Sequence, residues 1–274
     1  MCRWLAYSGR PVYLSELVFE TEHSLIEQSR AATHSPSTTN GDGFGLGFFA
    51  DRETPGVYRD VRPAWNDANF RDLAYQIRSP LFLAHIRATT GTRVQRTNCH
   101  PFRHGRWLFV HNGLIRDFER VRRDLAFELP AELYSHLEGT TDSELMFLLA
   151  VSLGLEGEPF SALERMVGLV EDVGQRKGIE HPMQMTLGLL DGERVLAVRY
   201  SSEGQSRSLF HNKQSSAVGQ LNPAMDDPGD EAVLVVSEPL TDMDDDWQAI
   251  PESTAVLVEK GELTCVDFRP QRPS

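Results

Sequence analysis

Apolar positions along the chain change period several times. Alternation marks strands, and a spacing of three to four marks helices. Residues 3–7 form a short apolar run that predicts a strand. Residues 15–30 carry Leu17, Leu25 and Ile26 and read as one helix. Residues 33–43 are rich in Ser, Thr, Pro and Gly and read as a loop. A strand follows over 45–50. Residues 66–78 place Phe70, Leu73, Ala74 and Ile77 on one helical face, with Asn66 or Asp67 as the cap. Residues 81–87 and 107–111 read as buried strands. Residues 117–127 read as a charged amphipathic helix, and 143–155 with 160–173 as a helical pair.

The last third returns to strands. Residues 183–190 and 194–200 flank Asp191-Gly192 and predict a hairpin across a tight turn. Residues 233–237 and 254–258 add strands. The polar stretch 205–230 between them reads as a mobile excursion. Strands, then helices, then strands again indicate an α+β layered domain. Without an internal repeat or a clear linker, residues 1–274 read as a single domain.

Composition narrows the function classes. Hydrophobic residues make up 40% and charged residues 24%, as in ordinary globular proteins. The net charge of −13, with clusters such as Asp244-Asp245-Asp246, argues against nucleic acid as a partner. The start lacks a signal-peptide apolar run. The most apolar stretch, 145–155, is too short to span a bilayer and reads as a buried helix. Neither observation suggests a membrane partner. Three cysteines, Cys2, Cys99 and Cys265, form no disulfide framework and point to a reducing cytoplasm.

Cys2 carries the chemistry. Once Met1 is removed, its thiol and free α-amine make a nucleophile and base in one residue. The amine has an unperturbed pKa of roughly 7.7–8.0, suited to moving a proton near neutrality. Cleaving a γ-glutamyl amide also needs donors for an oxyanion. It needs a cation and an anion for the substrate's α-carboxylate and α-ammonium. Arg87 ends an apolar strand, and its guanidinium suits a carboxylate. Thr90 can add a donor to the same carboxylate. Asn112 and Gly113 follow a strand and can supply an amide and a backbone N–H, although Asn-Gly is also an ordinary turn. Asp142 precedes an apolar helix, where it is either an ammonium partner or a helix cap. Gly41, Gly43, Gly45 and Gly47 lack the lysine of a phosphate loop and read as a tight turn near the nucleophile, with Asp42 beside it. His85, His100, His104 and His111, with Cys99, match no common zinc spacing, so no metal is expected. His100 and His111 read as structural hydrogen-bonding residues. No Gly-x-Ser-x-Gly elbow occurs.

In series, Met1-Cys2-Arg3, His85-Ile86-Arg87-Ala88-Thr89-Thr90, His111-Asn112-Gly113 and Thr141-Asp142-Ser143-Glu144 resemble a class II glutamine amidotransferase domain of the N-terminal-nucleophile hydrolase superfamily. The resemblance covers most of the chain and is strongest over its first 155 residues. It implies a four-layer αββα sandwich with the terminal cysteine between two sheets, and no cofactor. It implies Cys2 as nucleophile, Asn112 and Gly113 as oxyanion hole, Arg87 and Thr90 for the α-carboxylate and Asp142 for the α-ammonium. The arginine segment lacks the Trp and second His that larger amidotransferases often carry, which argues against their gating loop.

No synthase domain fits in the remaining length. Together with Asn40-Gly41-Asp42-Gly43-Phe44-Gly45, Pro63-Ala64-Trp65-Asn66 and Asn98-Cys99-His100-Pro101-Phe102, the chain resembles short free-standing members. These are the γ-glutamyl hydrolase of ergothioneine biosynthesis and the fungal glutathione-degrading γ-glutamyl subunit. The expected substrate is a small γ-glutamyl compound, cleaved through a thioester on Cys2. Two other readings stay open: a glutaminase subunit serving a separate synthase or peptidase partner, and a non-catalytic γ-glutamyl-binding protein. The leaving group and the oligomeric state lie beyond the sequence. Residues 33–40, 65–69 and 205–230 are the loops expected to shape the leaving-group side.

Overall fold

The alternation at the start of the chain runs further than its apolar core, because both faces of that strand are buried. Leu5 and Tyr7 face one apolar cluster, while Trp4 and Ala6 face another. The computed structural model describes residues 2–30, 39–89, 91–242 and 244–272. In chain order its elements begin with β1 (Arg3–Tyr13), α1 (Leu14–Val18), α2 (Leu25–Arg30), β2 (Phe44–Phe49), β3 (Gly56–Asp60), α3 (Ala68–Gln76) and β4 (Arg78–Ile86). The middle holds β5 (Phe102–His104), β6 (Trp107–Ile115), α4 (Phe118–Phe127), α5 (Ala131–Tyr134), α6 (Asp142–Ser152) and α7 (Pro159–Arg176). The last third holds β7 (Met183–Leu190), β8 (Arg194–Ser201), β9 (Phe210–Asn212), α8 (Ser215–Gln220), β10 (Val233–Val236), β11 (Trp247–Ala249), β12 (Thr254–Glu259) and β13 (Glu262–Asp267).

The strands form two antiparallel sheets, ordered β11-β9-β10-β1-β4-β2-β3 and β13-β12-β8-β7-β6-β5. Trp4, Ala6, Leu81 and Leu83 of the first meet Leu108, Val110, Val195 and Ala197 of the second. On the outer face of the first, Leu5, Tyr7, Phe82 and Ala84 pack with Leu17, Leu25, Phe70 and Ala74 from α1–α3. On the outer face of the second, Phe109, Leu187 and Leu196 pack with Leu145, Leu149, Val167 and Val170 from α6 and α7. Helices, sheet, sheet and helices make the expected four-layer αββα sandwich.

Several expectations needed correction. The helix expected over 15–30 is two helices. The backbone between them bonds elsewhere: His23 N–H donates to the Leu240 carbonyl at 2.9 Å and Ser24 N–H to that of Thr21 at 3.1 Å. Ser24 Oγ then accepts from Glu27 N–H at 3.2 Å, restarting the helix as a serine cap does. The stretch 205–230 is not simply an excursion. It contains β9 and α8, and Asn212 stitches it to β10 by accepting from Leu234 N–H at 2.7 Å and donating to the Ala232 carbonyl at 3.0 Å. Strands β3, β5 and β13 had no clear apolar alternation. β13 is largely exposed at a sheet edge, so little in its side chains announces it.

The sheets depend on close packing between them. Trp4 is buried, donates its indole N–H to Thr186 Oγ1 at 3.3 Å, and lies where a Cβ on Gly188 would come within 2.9 Å of its ring. Replacement Trp4→Ala is expected to destabilise the fold by about 3–5 kcal/mol, the usual range for emptying an aromatic core site. Urea unfolding checks this, and a loss below about 1 kcal/mol would contradict the packing.

Candidate active site

Strand register decides where the site residues point. β6 runs past His111 to Ile115, so Asn112-Gly113 is strand rather than turn. Odd-numbered Phe109 faces the α6–α7 layer, while Leu108 and Val110 face the other sheet. His111 follows Phe109 in this alternation, and Asn112 follows Val110. Gly113 has φ +149°, and a Cβ there would lie 2.0 Å from the Gln184 carbonyl oxygen, so only glycine fits.

A cavity of about 500 Å³ opens at this point. Cys2, Arg87, Gly113 and Asp142 all line it, with His100 and His111 in its wall. Cys2 is half-buried just ahead of β1, and Ala88 N–H donates to its Sγ at 3.5 Å. Burial pushes the thiol pKa up, against the pull of the Ala88 contact and the Arg87 charge. Burial thus favours the neutral thiol over the thiolate.

Arg87 is 3% exposed. Its guanidinium donates to the Asp42 carbonyl at 3.2 Å, Thr92 Oγ1 at 2.6 Å and the Arg93 carbonyl at 3.2 Å. Among the described residues no carboxylate forms an ion pair with it. Its charge therefore lies beside the cavity without a counter-charge from the described residues.

Asp142 occupies the first turn of α6, and the cap is Thr141, whose Oγ1 accepts from Glu144 N–H at 3.3 Å. Asp142 instead accepts from Ile115 N–H and from Ser143 N–H, both at 2.8 Å. These bonds fix the carboxylate and leave it acceptor capacity toward the cavity. Thr90 lies outside the described residues. Asn112 lines a different cavity, described below.

Two supporting residues were missed or undervalued in the sequence. Asp42 accepts from Thr89 N–H at 2.8 Å, pinning the turn after β4. The signal was its place between Gly41 and Gly43. Asn98 is fully buried; it donates to the Arg93 carbonyl at 2.9 Å and accepts from Thr140 N–H at 2.8 Å. It thereby ties the segment that holds Arg87 to the segment that presents Asp142. No periodic pattern marks such a strut.

The histidines form a neutral wall. His85 and His100 stack with ring centroids 4.2 Å apart. His111 Nδ1 and Ser143 Oγ share a hydrogen bond at 2.8 Å, as expected of a structural histidine. His100 differs from expectation: neither ring nitrogen has a partner among the described residues. Burial drives the pKa of His85 down to about 3 and that of His100 well below its usual range. Burial also lowers His111, against the opposing pull of Asp142.

The family model described as class-II glutamine amidotransferases matches residues 14–273. The chain belongs to the class-II glutamine amidotransferases. It is 30% identical to the probable glutamine amidotransferase DUG3 of Saccharomyces cerevisiae over 95% of this chain and 82% of that one. It is 32% identical to the gamma-glutamyl-hercynylcysteine sulfoxide hydrolase of Mycolicibacterium smegmatis over 84% of this chain and 90% of that one. Among solved structures, a glutamine aminotransferase class-II domain protein from Silicibacter pomeroyi superposes with TM-score 0.74 at 31% identity, covering 98% of this chain and all of that one. The glutamine phosphoribosylpyrophosphate amidotransferase of B. subtilis shares the fold, with TM-score 0.67 at 11% identity over 99% of this chain and 50% of that one. Among the described residues of this amidotransferase, no helix is long and apolar enough to cross a membrane.

The histidine wall sets a pH dependence. Unfolded histidines take a proton near about pH 6.5, while His85 and His100 stay neutral well below it. Below that pH the unfolded chain binds more protons, so stability falls as pH falls and is retained above it. Urea unfolding at pH 7.5 and 5.5 should show a loss of about 1.4 kcal/mol for each histidine that stays neutral. Equal stability at the two pH values would contradict the burial of these rings.

Proposed function

We propose that this amidohydrolase cleaves γ-glutamyl amides by way of a γ-glutamyl thioester on Cys2. The observation that carries the reading is one cavity holding a thiol, an uncompensated guanidinium and a fixed carboxylate. Arg87 and Asp142 form the charge pattern that complements the head of an α-amino acid. Thr90 belongs to the same carboxylate site in this reading.

With Met1 removed, the Cys2 α-amine takes the thiol proton as Sγ attacks the side-chain carbonyl carbon. Gly113 N–H and the Asn112 amide stabilise the oxyanion. The C–N bond then breaks, and the leaving amine takes the proton from the Cys2 ammonium. Water attacks the thioester with the same amine as base, releasing glutamate and the thiol. The raised thiol pKa is consistent with a base that acts during attack rather than a standing thiolate.

The name of the Mycolicibacterium smegmatis relative, a hydrolase of a γ-glutamyl compound, supports this reading. All three cysteines are free, which suits a reducing cytoplasm as the compartment. The substrate is a small molecule. A partner synthase or peptidase subunit would reveal itself through weak activity alone and activation on mixing.

Glutamate release by the Met1-processed enzyme from glutamine and γ-glutamyl peptides tests the reading. Cys2→Ala should reduce turnover to background while the folded state persists. Arg87→Lys and Asp142→Asn should each lower kcat/KM roughly 30-fold, mostly through KM, as expected for losing a charge-assisted contact of about 2 kcal/mol. Undiminished turnover by Cys2→Ala would sink the mechanism.

A further inference from the structure

A second, smaller cavity of about 200 Å³ is lined by Arg3, Asn112, Ser206, Arg207, Ser208, Ser237 and Glu238. Asn112 lines it, while the next residue, Gly113, lines the large cavity. The Arg3 guanidinium, in its wall, donates to the Cys2 carbonyl at 3.0 Å. Arg3 and Asn112 thus line the small cavity, while their chain neighbours Cys2 and Gly113 line the large one.

The charges in the small cavity do not balance. Arg3 forms a buried ion pair with Glu238, so each neutralises the other. Arg207 has no such partner. Among the described residues no carboxylate forms an ion pair with it, and its buried Nε makes no hydrogen bond. The hydroxyls beside it are already engaged: Ser208 Oγ donates to the Ser237 carbonyl at 2.9 Å and Ser206 Oγ to Glu252 at 2.7 Å. Burial, and then the nearby Arg3, push the Arg207 pKa down, while Cys2 pulls it up. Arginine nonetheless keeps its charge in proteins, so an anion is the economical way to satisfy it. Among the cavity's lining residues there is no aromatic ring, so charge and hydrogen bonds must do the recognising.

Substrate geometry says which anion. With the glutamyl head on Arg87 and Asp142, the scissile carbonyl lies at Cys2 Sγ and the nitrogen substituent points away from that head. We propose that the small cavity takes the leaving half of the substrate and that Arg207 binds its carboxylate. This rests on the reading of the chain as a γ-glutamyl hydrolase acting through Cys2 and adds a specificity-determining residue to it. The space matches roughly six or seven waters, enough for an amino acid or a small dipeptide. It also gives part of the polar stretch 205–230 a role as a specificity segment.

The test compares γ-glutamylglycine, γ-glutamylglycinamide and glutamine as substrates of the Met1-processed enzyme. Wild type should prefer the free acid over the amide about tenfold or more in kcat/KM, the scale of a charge-assisted contact. In Arg207→Gln that ratio should fall to near one, and Arg207→Lys should keep part of it. A merely structural role would lower both substrates together and leave the ratio unchanged, which would overturn the proposal. The wild-type ratio needs no variant, so equal use of acid and amide overturns it even if Arg207→Gln fails to fold. Glutamate release from glutamine without any preference for the acid defeats this proposal alone. No release from any of the three compounds defeats the hydrolase reading, and this one with it.

Discussion

A buried guanidinium with no carboxylate paired to it among the described residues organises this molecule. Desolvating such a charge costs several kcal/mol unless polar groups surround it. Arg87 is surrounded by backbone carbonyls from two separate segments, at Asp42 and Arg93, and by Thr92 Oγ1. Those carbonyls must be held in place in turn. Asp42 does this on one side by binding Thr89 N–H, and Asn98 does it on the other by binding the Arg93 carbonyl. Because Asn98 also binds Thr140, the same strut sets the start of α6 and hence Asp142. Two oppositely charged groups, 55 residues apart in sequence, are thus spaced by one amide side chain.

The layered architecture was legible because burial imposes periodicity. β1 and β4 alternate between two apolar clusters, and α6 is buried along nearly its whole length. What the sequence concealed had local causes. The break between α1 and α2 depends on the Leu240 carbonyl, more than 200 residues away. β13 is exposed and depends on pairing with β12 rather than on its own side chains. At the site, Cys2, Arg87, Gly113 and Asp142 were readable as chemistry-bearing residues, and the fold brings them to one cavity. The direction of Asn112 was not readable. It depends on β6 continuing past a dipeptide that ordinarily turns, so that strand alternation sends it toward the second cavity.

The neutral histidine wall and the raised thiol pKa have a common origin. Both follow from placing ionisable groups between packed layers, where water cannot support charge. The charged residues that do enter this region come with partners or face a cavity.

The position of β1 in its sheet bears on the order of events during synthesis. β1 is interior, flanked by β4 and by β10, and β10 begins only at Val233. The first strand to leave the ribosome therefore waits for one of the last before its second edge is covered. Until then the end that carries Cys2 has no completed sheet around it.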